Sequence, residues 1–217
     1  VSSGRAIVFA NGECNARTCS LANIRTDDFL LCIDGGVRHC LQAQLSPDIV
    51  VGDLDSLDTA SKDAIQAQQI ECVRYPKDKD ASDLQLGLEL LIERSCEQVV
   101  LLGVSGGRSD HSLFNWQLAG SRAWPFQLRL LDDSVCAHVV DVAHPLSLSI
   151  PAGQTFSVIP VAHDAQGVCV SGARYPLQKA SLSVGSTLGL SNEVTESRLQ
   201  VSVDAGIVLV MLVHLKT

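Results

Sequence analysis

Of six aspartates in three short clusters of a 217-residue chain, five stand out as candidates for chemistry. They are Asp34 in Ile33-Asp34-Gly35-Gly36, Asp53 and Asp55 in Gly52-Asp53-Leu54-Asp55-Ser56, and Asp80 and Asp83 in Asp78-Lys79-Asp80-Ala81-Ser82-Asp83. Apolar runs precede the first two clusters and a capped helix pattern follows the third. Carboxylates at the ends of core elements repel one another and lose hydration unless a cation joins them. Magnesium takes hard oxygen ligands, commonly a few carboxylates plus substrate phosphates. The set therefore reads as a divalent metal site for a polyphosphate, although each aspartate alone also suits a helix cap or a turn.

Two glycine-rich stretches sit where phosphates would be held. Gly35-Gly36 follows one apolar run, and Gly103-Val104-Ser105-Gly106-Gly107-Arg108 follows another. Such turns let backbone N–H groups approach an anion ahead of a helix N-terminus. Arg108 adds a planar charged donor. Neither stretch is GxxxxGK[ST] or GxGxxG. Asp110 and His111 open the next helix, where His111 suits a general base or a structural, substrate-orienting role.

The elements that must position these residues fall into two patterns. Over the first ~133 residues, apolar runs (Ala6–Ala10, Phe29–Ile33, Ile49–Val51, Val99–Leu102, Leu128–Leu131) alternate with helical stretches (Ser61–Gln69, Ser82–Arg94, Asp110–Ser121). Continuous apolar strands separated by helices predict a mostly parallel α/β sheet. Ser82 with Gln85 forms a capping-box pattern, and Leu84, Leu88 and Leu91 share one face. Leu113, Trp116 and Leu118 are expected to be core. The last ~80 residues carry short, partly alternating β-like pieces punctuated by Gly153, Gly167, Gly172, Gly185, Gly189 and Gly206, a pattern that predicts an antiparallel sandwich or barrel. A boundary is expected between Asp133 and Asp141.

The bulk numbers exclude some functions. A net charge of −8 with no basic run argues against nucleic acid as a partner. No stretch approaches the roughly 20 apolar residues of a membrane helix. The N-terminal residues lack a secretory pattern, so a cytoplasmic enzyme is expected. Eight cysteines, none in CxxC spacing, read as reduced thiols rather than as a zinc site or a disulfide framework.

Taken in order, Cys32–Gly36, Pro47–Ser56, Asp78–Asp83, Leu102–His111 and Gly189-Leu190-Ser191-Asn192-Glu193 resemble the motifs of the thiamine pyrophosphokinase family. The strand-turn-strand from Val201 to Val213 is similar to that family's last hairpin. The resemblance implies an α/β, Rossmann-like domain over residues 1–135 that holds ATP and Mg²⁺. It implies a β-sandwich domain over 136–217 that contributes to thiamine binding and dimerisation, in a homodimer with active sites between subunits. It implies transfer of the terminal pyrophosphate of ATP to the hydroxyl of thiamine, giving thiamine diphosphate and AMP.

By the same resemblance, Asp53, Asp55 and Asp83 match metal-associated carboxylates and Asp34 an acidic neighbour. Lys79 lies close to the reacting groups. Gly35, Gly36, Gly106, Gly107, Arg108, Asp110 and His111 lie along the nucleotide, and Ser191 and Asn192 contact thiamine. Ser82 stands where Thr is more usual. Thr195 stands where some members carry an aromatic that stacks on thiamine. A pyrophosphokinase for another hydroxymethyl acceptor, such as a pterin, and a non-catalytic sensor on the same fold are the alternatives.

Overall fold

The computed structural model describes residues 4–55, 57–76 and 80–213. The expectations for Ser56, Asp78 and Lys79 lie outside these residues. The chain divides into two compact units, one running up to Asn115 with Leu131–Asp133, the other comprising Trp116–Leu130 and the chain from Ser134.

In the first unit β1 (Arg5–Phe9), β2 (Phe29–Ile33), β3 (Ile49–Gly52), β4 (Glu71–Arg74) and β5 (Gln98–Leu102) lie in the order β5-β1-β2-β3-β4. All the neighbouring pairs are parallel. Every residue of β1 and β3 is buried, which is why these runs show no alternation. The chain steps outward from β1 to β4, then returns to the other side of β1 as β5. The carboxyl ends of β1 and β5 therefore flank the point where the strand order reverses, the place where open α/β sheets bind ligands.

The helices are short, and three of them carry a side-chain cap at the N-terminus. α1 (Ala16–Ala22) starts at Asn15, whose side chain accepts from the Thr18 amide, and ends at Asn23 in the left-handed region. α2 (Val37–Gln42) follows a 3-10 turn over Asp34–Gly36. α3 (Thr59–Ala67) starts two residues earlier than expected, because Asp58 caps it by accepting from the Ser61 amide at 2.7 Å. α4 (Asp83–Glu93) buries Leu84, Leu88 and Leu91 as its spacing predicts, at about 2 kcal/mol each. Only half of its capping box forms: Ser82 Oγ accepts from the Gln85 amide, while the Gln85 side chain donates to Glu89. Gly87 brings α4 down onto Ile33 and Leu31 of β2.

α5 (Ser109–Ala119) departs from expectation. Leu118 is buried, but Leu113 is 62 % exposed and Trp116 only half-buried. Its apolar residues do not share one face. The strand β4, with its half-exposed pattern, and the helices α1 and α2 carry too few apolar repeats to be visible beforehand.

The second unit contains β6 (Gln127–Leu131) except its last residue, β7 (Val135–Val140), β8 (Leu146–Ser149), β9 (Thr155–Ile159), β10 (Ala165–Ser171), β11 (Leu177–Leu182), β12 (Asn192–Glu193), β13 (Arg198–Ser202) and β14 (Val208–Val213). One group of neighbours runs β12-β9-β14-β7-β6, and a second sheet runs β11-β10-β13-β8. The pairs β12–β9, β9–β14 and β14–β7, and all three in the second sheet, are antiparallel. β13 buries Leu199 and Val201 and turns the intervening residues outward. Parallel strands with helices followed by antiparallel strands agree with the expected α/β-then-β order. The expected division at residues 135 and 136 falls inside β7.

Burial in β7, with Arg129 close by, lowers the imidazole of His138 to about 4. A histidine that folds in its neutral form favours the unfolded state once that state takes up a proton. Stability contributed here is complete above about pH 6.5 and falls as the pH drops towards 4, by up to about 3 kcal/mol. Urea midpoints measured at both ends of this window should separate more for the wild type than for His138→Gln.

Candidate functional site

A cleft of ≈ 610 Å³ opens at the carboxyl ends of β1 and β5. It is lined by Ala10, Asn11 and Gly12 after β1, and by Ile33 and Asp34 after β2. Ser82 and Asp83 at the start of α4 complete one side, and Gly106, Gly107, Arg108, Asp110 and His111 between β5 and α5 form the other. Seven of the expected site residues thus share one cavity although they come from three separate segments.

Asp34 organises the carboxylate side. Its backbone is left-handed, with φ 44°, a conformation that costs a non-glycine residue about 1–2 kcal/mol. Its Oδ1 accepts from the Leu54 amide at 3.2 Å. Burial, together with the nearby charges of Asp83 and Asp53, raises its carboxyl to about 6. Asp83 lies within hydrogen-bonding reach of it. Two segments far apart in sequence are therefore folded against mutual repulsion.

The Asp53-Leu54-Asp55 turn hangs from Asp34. Leu54 is itself left-handed, at φ 62°, and its side chain is buried. The Asp55 amide donates to Asp53 Oδ1 at 2.9 Å, an Asx turn. Asp55 is exposed and Asp53 half-buried. Gly52 makes the approach possible: its φ is 147°, and a Cβ there would overlap the Asp34 carboxylate.

Among the described residues no three His, Cys, Asp or Glu side chains are gathered as a metal set. Asp83 pairs with Asp34, and Asp53 lies near enough to raise the Asp34 carboxyl further. The donor set is nevertheless hard oxygen, and its crowding of like charge is what a divalent cation neutralises. On that chemistry the residues fit Mg²⁺. Asp80 is exposed.

On the other side, Gly106 and Gly107 have positive φ, and a Cβ at Gly106 would strike the Glu13 side chain. Arg108 and Asp110 form an exposed bidentate pair, Nε to Oδ1 at 3.1 Å and Nη2 to Oδ2 at 2.6 Å. That pairing holds the Asp110 carboxyl down at about 2. His111 is exposed in the first turn of α5. Gly35 and Gly36 are buried behind the cleft, where Gly36 packs on the Phe9 carbonyl and Gly35 on Asn11. Both glycines let the Asp34 turn pack closely on the β1 end.

The Asn11-Gly12 turn was not recognised from sequence as part of the site. Arg38 donates to Asn11 Oδ1, to the Asn11 carbonyl at 2.9 Å and to the Gly12 carbonyl at 3.3 Å. His39 Nε2 lies 2.7 Å from the same Gly12 carbonyl and donates to it. Asn115 Nδ2 ties α5 to the Val104 carbonyl at 2.8 Å. The available signal was positional: Asn11-Gly12 follows β1 as Asp34-Gly35 follows β2.

In the second unit, Ser191 is exposed and left-handed, with its amide donating to Ser157 Oγ at 3.0 Å. Asn192 is buried. Its Oδ1 accepts from the Tyr175 and Glu193 amides, and its Nδ2 donates to the Tyr175 carbonyl at 2.8 Å. This side chain is committed to bracing the Tyr175 segment. Asn192→Ala should cost about 1–2 kcal/mol by removing the partner of part-buried backbone groups, readable as a lowered urea midpoint.

Residues 22–123 match the family model of the thiamin pyrophosphokinase catalytic domain, and residues 137–208 match that of the thiamin pyrophosphokinase vitamin B1 binding domain. The chain is 30% identical over 192 residues to a thiamine pyrophosphokinase of Bacillus subtilis, covering 86% of this chain and 88% of that one. It is 24% identical over 202 residues to thiamine pyrophosphokinase 1 of rice, covering 82% and 76%. A crystal structure of the Bacillus subtilis thiamine pyrophosphokinase superposes with a TM-score of 0.85 at 24% identity, over 98% of this chain and 100% of that one. The Candida albicans thiamin pyrophosphokinase superposes with a TM-score of 0.79 at 13% identity, over 97% and 89%. With two family models spanning most of its length and a relative at this identity and coverage, the chain belongs to the thiamin pyrophosphokinase family of diphosphotransferases.

Proposed function

We propose that this chain is a Mg²⁺-dependent thiamine pyrophosphokinase that moves the terminal pyrophosphate of ATP onto the thiamine hydroxyl, giving thiamine diphosphate and AMP. The observation that carries this reading is the cleft at the strand-order reversal. It sets the Asp34–Asp83 carboxylate pair against the Gly106-Gly107-Arg108 turn.

In this reading the part up to residue 135 is Rossmann-like and holds ATP, and the β part, a sandwich over 136–217, contributes to thiamine binding and dimerisation. Asp53, Asp55 and Asp83, with Asp34 beside them, would hold the metal. When bound, Mg²⁺ supplies charge neutralisation for the phosphate oxygens. The Gly106-Gly107 amides cradle phosphate oxygens, and Arg108 exchanges its Asp110 contact for a phosphate. Asp110 and His111 hold that turn. Lys79 joins the reacting groups on the strength of the sequence resemblance.

The acceptor oxygen attacks the β-phosphorus as AMP leaves. Such transfers depend on positioning and electrostatics, so no covalent enzyme intermediate is invoked. Ser191, with Asn192 bracing the segment behind it, faces thiamine. Exposed Tyr175, Val184, Leu188 and Leu190 support burial of this region in a homodimer. No helix among the described residues is long and apolar enough to cross a membrane.

Incubation with ATP, Mg²⁺ and either thiamine or a hydroxymethylpterin tests the proposal. AMP should form only with thiamine. Formation that requires the pterin instead, or ATP binding without turnover on either acceptor, overturns it.

A further inference from the structure

We propose that Cys14 and Cys19 form an oxidisable dithiol beside the cleft, closing to a disulfide that weakens nucleotide binding. The two Sγ atoms stand 3.7 Å apart, and both residues are half-buried. A disulfide needs about 2.0 Å between its sulfurs, so closure asks for only a small approach. The pair brackets the start of α1. Cys14 precedes the Asn15 cap, and the Cys19 amide donates to the Asn15 carbonyl at 3.1 Å, which holds both side chains within one turn.

The surroundings favour reaction here. Contact with the Cys14 thiol lowers Cys19 to about 7, while Cys14 itself is raised by that contact, by burial and by Asp133. Near neutral pH the Cys19 thiolate is the nucleophile and Cys14 the resolving thiol. Cys32 and Cys40 also touch, but both are fully buried and closed to reagents in water.

With hydrogen peroxide as oxidant, the Cys19 thiolate attacks one oxygen and the O–O bond breaks. The departing hydroxide takes a proton as water, leaving a sulfenic acid. Cys14 then loses its proton and attacks that sulfur, so the S–S bond forms, the S–O bond breaks and a second water leaves. The two thiols give up two electrons, and one peroxide becomes two waters. A dithiol reductant reverses the change.

The coupling to the cleft runs along the chain and rests on reading that cleft as a nucleotide site. Asn11 and Gly12 line it. The Gly12 amide donates to the Gly103 carbonyl at 2.8 Å and the Glu13 amide to the Ser105 carbonyl at 2.7 Å. His39, which holds Gly12, also lies against the Cys14 backbone. Drawing Cys14 towards Cys19 therefore pulls on the turn that joins the two strand ends.

Trypsin separates the partners at Arg17, leaving peptides 6–17 and 18–25. The full chain is treated with peroxide at neutral pH, its remaining thiols are blocked, and it is digested without reductant. The two peptides should then appear joined, and should separate on addition of dithiothreitol. ATP dissociation constants are measured on the reduced and oxidised protein and on Cys19→Ser. Oxidation should weaken wild-type binding about fivefold, reversibly, and leave Cys19→Ser unmoved. Absence of the joined peptide overturns the dithiol. A joined peptide with unchanged ATP affinity overturns its effect on binding. A reduced protein that binds no ATP overturns the nucleotide reading instead, with the joined peptide still deciding the dithiol.

Discussion

Asp83→Asn should lower kcat about a thousandfold or more while the protein melts within a few degrees of the wild type. The side chain keeps its size, and Ser82 rather than Asp83 caps α4. The structural cost is one carboxylate lost from the first turn of that helix, roughly 0.5 kcal/mol. It is offset by relief of repulsion with Asp34. The catalytic cost is much larger, because the removed charge faces the cleft where polyphosphate and cation are proposed to meet. Turnover read as AMP release, with a thermal melt on the same sample, separates the two effects. Undiminished turnover would take Asp83 out of the proposed metal site.

Gly52→Ala should damage stability and activity together. The backbone there, at φ 147°, is one that L-residues avoid, and the new methyl group would overlap the Asp34 carboxylate. Strain at such a position costs about 1–3 kcal/mol, and displacing Asp34 also breaks its bond to the Leu54 amide. A loss of about 3 kcal/mol should lower Tm by about 10 °C, and activity should fall further than stability does. Gly107→Ala supplies the contrast. Its φ is also positive, but nothing lies within 4 Å of the added Cβ, so strain acts there without the clash. A Gly52→Ala protein that melts and turns over like the wild type would refute the account of how the Asp34 turn is held.

Much of the scaffold was visible in composition and spacing. β2 and the buried leucine face of α4 appear where their residues predict, because a fully covered strand and a one-sided helix leave strong, periodic signatures. α5 shows the opposite case. Leu113 points outward beside a cleft rather than into a core, and no local rule distinguishes the two. α1, α2 and β4 are too short to carry a period.

The same division holds for the site. The chain order of Asp34, Asp83 and the Gly106-Gly107-Arg108 turn, each at the end of a core element, was enough by itself to suggest the family to which the chain belongs. Local sequence determines such features, because strand ends, caps and glycine turns are specified by neighbours along the chain. Tertiary structure alone decided that Asp34 meets Asp83, and that Asn192 is spent on the Tyr175 backbone. It also placed the Asn11-Gly12 turn on the cleft. Each of these depends on elements far apart in sequence being brought within hydrogen-bonding distance. The sequence places aspartates at the ends of core elements; only the β1–β5 strand order brings two of them, Asp34 and Asp83, into one cleft.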